Sequence, residues 1–155
     1  MKQLCNLYSK IIKLSNKTLS PLLDLSIRLF MANIFFTSGK LRLNDYLNGQ
    51  WDSQITAFTD YHPIPGIPGD IAAIAGTFGE ITLPVLLAFG LFTRFGAAGL
   101  LIMTLSIQFL VPADYGVAND DHYMWMMLLA VPMLKGGGTL SADFILCKFL
   151  CKKGA

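Results

Sequence analysis

The sequence predicts an all-α fold: a transmembrane four-helix bundle with an N-terminal amphipathic helix and a C-terminal cytoplasmic helix. Three observations lead there. The 155-residue chain is 54% hydrophobic and only 14% charged, whereas soluble domains average roughly 45–50% apolar and about 25% charged. Four apolar stretches are separated by polar or proline- and glycine-rich connections, and the basic residues are shared unevenly among those connections. The net charge of +2 is too small to suggest a nucleic-acid partner, and no basic stripe with interleaved aromatics occurs. One membrane domain follows, with membrane lipid as its first partner.

Residues 1–20 read as a cytoplasmic amphipathic segment. Leu4, Leu7, Tyr8, Ile11 and Ile12 recur at helical spacing opposite Lys2, Lys10, Lys13 and Lys17, a pattern suited to an anionic leaflet. The stretch lacks the apolar core and cleavage site of a removable signal, so the first span is expected to act as its own insertion signal. Ser20-Pro21 predicts a helix N-cap followed by proline at the first helical position.

The bundle is expected over residues 21–135, with spans at about 22–43, 70–92, 95–111 and 122–134. The first has one stripe, Asp24, Arg28, Ala32, Phe35 and Gly39, that holds charges and small residues and should face other helices. Residues 44–69 form a loop with Trp51, Tyr61, His62 and three prolines; residues 50–58 predict a short helix within it, with Ile55 and Phe58 dipping into the interface. The second span has Ala72/Gly76 and Ala75/Gly79 pairs for close packing. It also places Glu80 one turn before Pro84, which cannot donate to the Glu80 carbonyl. The third span ends at Pro112, and the fourth has Trp125 and Pro132. Gly136-Gly137-Gly138 breaks that helix, and residues 136–155 form a cytoplasmic tail with a closing helix at about 141–150.

The positive-inside rule sets orientation. Lys2, Lys10, Lys13, Lys17, Arg94, Lys135, Lys148, Lys152 and Lys153 fall on one side, against Lys40 and Arg42 on the other. Both termini are therefore expected in the cytoplasm, and the protein in the cell inner membrane. Cys5, Cys147 and Cys151 then face the reducing side, which argues against disulfides. Cys147 and Cys151 share a helix face and read as packing or lipid-facing thiols. Four methionines of the fourth span read as gap fillers.

Two constellations carry chemistry. Arg28 lies ~10 Å from the cytoplasmic start of its helix and Glu80 ~15 Å from the outer start of an antiparallel one, at 1.5 Å per residue. The heights differ by about 5 Å on this reckoning, and Arg28 is expected to pair with Glu80, with Asp24 as a second acceptor. Such a buried polar centre serves helix register, proton handling or ligand contact. The second group lies near the outer surface: Gln108, His122, Trp125 and Lys40, beside Trp51, Tyr61, His62 and Tyr123. With Glu80 they form the expected ligand-binding set, able to hold a quinone head group by hydrogen bonds and stacking; an interface belt with helix caps is the alternative reading. Two histidines without companions at ligand spacing indicate no metal, and no catalytic residue stands out.

These motifs resemble the DoxX family of small four-helix membrane proteins. The matching stretches are RLFMANIFFTSGK (28–40), TFGEITLPVLLAFGLFTRFGA (77–97), MTLSIQFLVP (103–112), residues 122–125 and GGGTLSADFIL (136–146). Relatives usually have Gly-Pro-Gly where this chain has three glycines. The resemblance implies a cytoplasmic-membrane protein in which Arg28, Glu80, Arg94 and Asp143 match family positions. Arg94, Ser141 and Asp143 are then expected in cytoplasmic structural roles. It also implies that some relatives are subunits of quinone-reducing sulfur oxidation systems or act in thiol and oxidant defence, in places with a partner subunit. Three expectations follow: a redox-associated, non-catalytic or quinone-binding subunit, a scaffold that assembles with a partner subunit or its own copy, or a proton-coupled transporter.

Overall fold

The computed structural model describes the backbone of residues 1–116 and 118–152, and all side chains among them except Lys2, Ala113, Cys151 and Lys152. The expected shared face of Cys147 and Cys151, and the side chains of Lys152 and Lys153, therefore lie outside the described residues. The described chain is helical without strands: α1 Lys2–Leu14, α2 Ser20–Leu47, α3 Trp51–Thr56, α4 Gly69–Phe89, α5 Thr93–Leu105, α6 Asp120–Lys135 and α7 Ala142–Lys152. Wide π turns at Ser15–Leu19, Ala57–Tyr61 and Ser106–Leu110 interrupt or extend them.

The three π turns share one cause. Each ends two residues before a proline, at Pro21, Pro63 and Pro112. Proline lacks the amide that would serve the carbonyl four residues back. In each case the residue just before the proline bonds instead to the carbonyl five back: Ser20 to Ser15, His62 to Ala57 and Val111 to Ser106.

The first of these turns corrects the expected start of the bundle. α1 runs into α2 without a break, Leu19 is helical, and Ser20 makes no cap. Its hydroxyl instead accepts a hydrogen bond from Lys135 Nζ at 2.9 Å. α2 also continues past residue 43, to Leu47. α4 stops before residue 92, because Gly90 takes a left-handed φ of 68° and caps it. Asn119 caps α6, its side chain accepting from the Asp121 amide at 3.1 Å.

α2, α4, α5 and α6 pack as a ring in which each touches its chain neighbour and α6 closes on α2. The stretches Gln3–Leu47, Gly69–Phe89 and Thr93–Leu110 are long and apolar enough to cross a membrane. α6, with 16 residues, completes the ring. Its centre holds Met31, Phe35, Leu87, Ala97, Leu100 and Leu129, with Trp125 edge-on to Phe35 at 5.8 Å. Lipid tails are as apolar as leucine, so close backbone approach and polar contacts hold such a bundle together. Gly39 allows a close backbone approach, since a Cβ there would lie 2.8 Å from the Glu80 carbonyl carbon and 2.9 Å from its oxygen. The Glu80 carbonyl meeting Gly39 is the one that Pro84 leaves without its helical donor.

Candidate functional site

The buried polar groups form three layers. At the end carrying both termini, Arg28 is 1% exposed and donates to backbone carbonyls: Leu87 at 3.2 Å, Ala88 at 3.1 Å, and Leu140. Asp24 accepts from Lys135 Nζ at 2.7–2.8 Å. Asp143, at the start of α7, caps α5: Oδ1 accepts from the Phe92 amide at 2.8 Å, and Oδ2 from the Thr93 amide and hydroxyl at 2.9 and 2.7 Å. Phe92 has a φ of 48°, an unusual left-handed value for a bulky side chain, and the Asp143 bond holds it there. Burial pushes the Asp143 carboxyl up, but the Thr93 and Phe92 bonds and the Arg28 charge outweigh it, so it titrates below the ordinary carboxylate range. Ser141 accepts from the Phe144 amide at 3.2 Å and starts α7. Arg94 is exposed beside Gly136. The layer ties the closing segment of the chain to its first and third spanning helices.

The expected pairing of Arg28 with Glu80 is not what the structure contains. Arg28 lies level with Leu87 and Ala88, seven or eight residues beyond Glu80 on α4, a separation of ~10 Å or more along a helix. Depth counted from each helix's own start went wrong because α1 runs into α2 without a break, so the start assumed for α2 is not there. Nor does Asp24 serve Arg28 as an acceptor; it neutralises Lys135.

The second layer belongs to Glu80, 3% exposed. Its partner is Arg42, with Nη1 2.9 Å from Oε2. Arg42 lies three residues past Gly39 on the same stripe of α2, and it also covers the Phe58 ring, 4.9 Å from the centroid. The Ser38 hydroxyl reaches the carboxyl as well. The guanidinium stands at ion-pair distance from Oε2, which accepts no other hydrogen bond from the described residues. The pair forms one end of a cavity of about 350 Å³ between α4, α5 and the 57–68 segment. Its walls are apolar: Ile67, Ile71, Ala72, Ile102, Met103 and Ile107 among others. His62 also lines it, with Nδ1 3.2 Å from the Ala57 carbonyl. Gly76 admits the Phe58 ring, since a Cβ there would lie 3.1 Å from it.

The third layer brings together Gln108, His122 and Trp125. The Gln108 carbonyl accepts from the Asn119 amide at 3.2 Å and lies 2.7 Å from His122 Nδ1. The imidazole packs on Trp125 with centroids 5.0 Å apart. These side chains fasten α6 to the end of the third helix and line no part of the Glu80 cavity. Lys40 is exposed and also lies outside it. The expected ligand set is thus divided: Glu80 belongs to the cavity, and Gln108, His122, Trp125 and Lys40 do not.

Arg42, Phe58 and His62 complete the site; Arg42 and Phe58 were missing from the expected set, and His62 was named only beside it. One signal was available. Arg42 continues the stripe of Asp24, Arg28, Ala32, Phe35 and Gly39 at the next helical step. Phe58 was expected to dip only into the membrane interface, and His62 to stand by the outer head-group residues; both line the cavity from the π turn before Pro63.

Comparison with known proteins agrees with this architecture. The family model described as DoxX matches residues 23–113. An uncharacterized protein of Haemophilus influenzae is similar, 33% identical over 132 residues, which cover 80% of this chain and 83% of the relative. No solved structure matches.

Proposed function

The chain belongs to the DoxX family of membrane proteins, and from that premise we propose that it is a redox-associated membrane subunit binding a quinone or a similar lipid-soluble ligand. In this reading α2, α4, α5 and α6 all cross the cell inner membrane, and both termini face the cytoplasm, as the basic residues favour. The cavity then lies in the outer half of the bundle, walled by residues that also border lipid.

The observation that carries the reading is a buried carboxylate, ion-paired with Arg42, that borders a largely apolar cavity. An ionisable group at such depth is retained where it has a partner or a task. The Arg42 guanidinium is a donor for a carbonyl oxygen, and Glu80 Oε2 is an acceptor for a hydroxyl. A head group that interconverts between those two forms fits both ends of the pair, and an isoprenoid or alkyl tail suits the isoleucine-rich wall. Phe58 and His62 add aromatic faces. The outer segment packs as a roof over this cavity through Phe58, His62, Ile64 and Ile67, which favours ligand enclosure over a free scaffold loop.

Titration of a short-tailed quinone into the protein in nanodiscs, followed by Trp51 and Trp125 fluorescence, tests the reading. Saturable binding is expected, weakened at least about tenfold by Glu80→Gln or Arg42→Met, as loss of one charged hydrogen bond of ~1.5–3 kcal/mol implies. His122→Ala should leave it unchanged. Absence of saturable binding, or equal affinity in all four proteins, would refute it.

A further inference from the structure

The face of the bundle between α2 and α4 carries a second, shallower groove of about 340 Å³, lined by Leu29, Ala32, Asn33, Phe36, Val85 and Ala88 among others. Asn33 is exposed there and makes no hydrogen bond to the described residues of its own chain. It lies between two buried layers, five residues beyond Arg28 and six before Gly39, or ~7.5 and ~9 Å along the axis. Its exposed neighbours Leu29, Phe30, Phe36, Val85 and Phe89 are apolar, with Thr37 one turn further along α2 the exposed polar exception. In a chain whose α2 and α4 are apolar enough to cross a membrane, this surface meets hydrocarbon. No water satisfies an amide there, and acyl chains offer neither donor nor acceptor.

We propose that a second copy of this chain occupies the groove, with the two Asn33 amides hydrogen-bonding to each other across a two-fold axis. An amide has both a donor and an acceptor group, so it is complementary to its own copy. A two-fold contact uses both at once and is the commonest symmetry of soluble oligomers. Asparagine is a recognised cross-helix contact in bilayers, and small residues beside it let backbones approach. Ala32 and Ala88 provide that room, while Phe36, 40% exposed, and Phe89, 72% exposed, stand as knobs at the groove margins. This surface lies on α2 and α4 away from the α5 wall of the Glu80 cavity, so the inference is independent of quinone binding.

The test uses the full chain in lipid vesicles. With Cys5, Cys147 and Cys151 changed to Ser, Asn33→Cys should form a disulfide-linked homodimer on mild oxidation, and Met127→Cys, exposed on α6, should not. In the wild-type cysteine background, dilution in the bilayer read by single-molecule photobleaching should show a dimer. Asn33→Leu, which suits lipid and preserves the fold, should raise its dissociation constant about 5–30-fold, while Asn33→Gln should stay closer to wild type. The proposal is overturned by a monomer at all densities, by an unchanged constant in Asn33→Leu, by cross-linking through Met127→Cys in preference, or by an Asn33→Cys adduct with another protein or a small molecule.

Discussion

The Gly39 Cα packs against the Glu80 backbone, one helical turn from the guanidinium that neutralises the Glu80 side chain. A single short stretch of α2 thus provides both the space that α4 needs and the charge that its carboxylate needs. Gly39→Ala should therefore act as a wedge. Overpacking of this kind costs about 1–3 kcal/mol, so the thermal midpoint in detergent should fall. Arg42 would withdraw with its helix, so ligand affinity should fall with it; unchanged stability and affinity would contradict this geometry.

Arg42→Met strands Glu80 in a low-dielectric site, and losing one partner of a buried pair costs ~3–5 kcal/mol. Arg42 is partly open, with 23% of its side chain exposed, so the lower end of that range is expected. Glu80→Gln leaves a neutral side chain of the same shape and should cost less. The double variant should be more stable than the sum of its parts, with a coupling above about 1 kcal/mol in denaturation of the four proteins. Simple additivity would count against the pair.

Arg28→Lys should destabilise even though the charge is kept. A guanidinium serves three carbonyls from a fixed fork, which an ammonium on a flexible stem cannot reproduce. Arg28→Met should be worse still, taking the guanidinium from the Ala88 and Leu140 carbonyls and leaving Leu87 only the Gly90 amide. Protection of the α7 amides in hydrogen exchange is the readout, because the Leu140 contact joins that segment to α2.

The capping of α5 by Asp143 predicts a pH response. Its folded pKa lies below the ordinary carboxylate value, so its contribution is fully present above the unfolded pKa. It disappears as pH falls through the lower folded one. Exchange at the Phe92 and Thr93 amides should therefore stay slow at neutral pH and accelerate only under strongly acidic conditions. Asp143→Asn should flatten that dependence, and Asp143→Ala should give fast exchange throughout.

The ring of helices was legible because its signals are local: apolar runs, proline and glycine breaks, and a stripe from Asp24 to Gly39 that is indeed buried. Glu80 stood out because one carboxylate in an apolar run is conspicuous. Its partner did not, because pairing depends on the relative heights of two helices, and α2 was given a start where the structure has a continuous helix. Arg42 lay within the expected span but was counted only as an outer-side charge, whereas it reaches back toward Glu80. The π turns were invisible as such, although each proline that causes one was in plain view. Asp143 and Lys135 act across the chain, on Thr93 and Asp24, and no spacing rule connects residues that far apart.

The contact between Arg28 and the Leu140 carbonyl joins positions 112 residues apart, and the family match ends at 113, before the acceptor. During synthesis the arginine enters the translocation machinery long before that carbonyl exists. Until that carbonyl is in place Arg28 has only the Leu87 and Ala88 carbonyls of α4, so the stretch leading into α7 acts as a clasp on the finished ring.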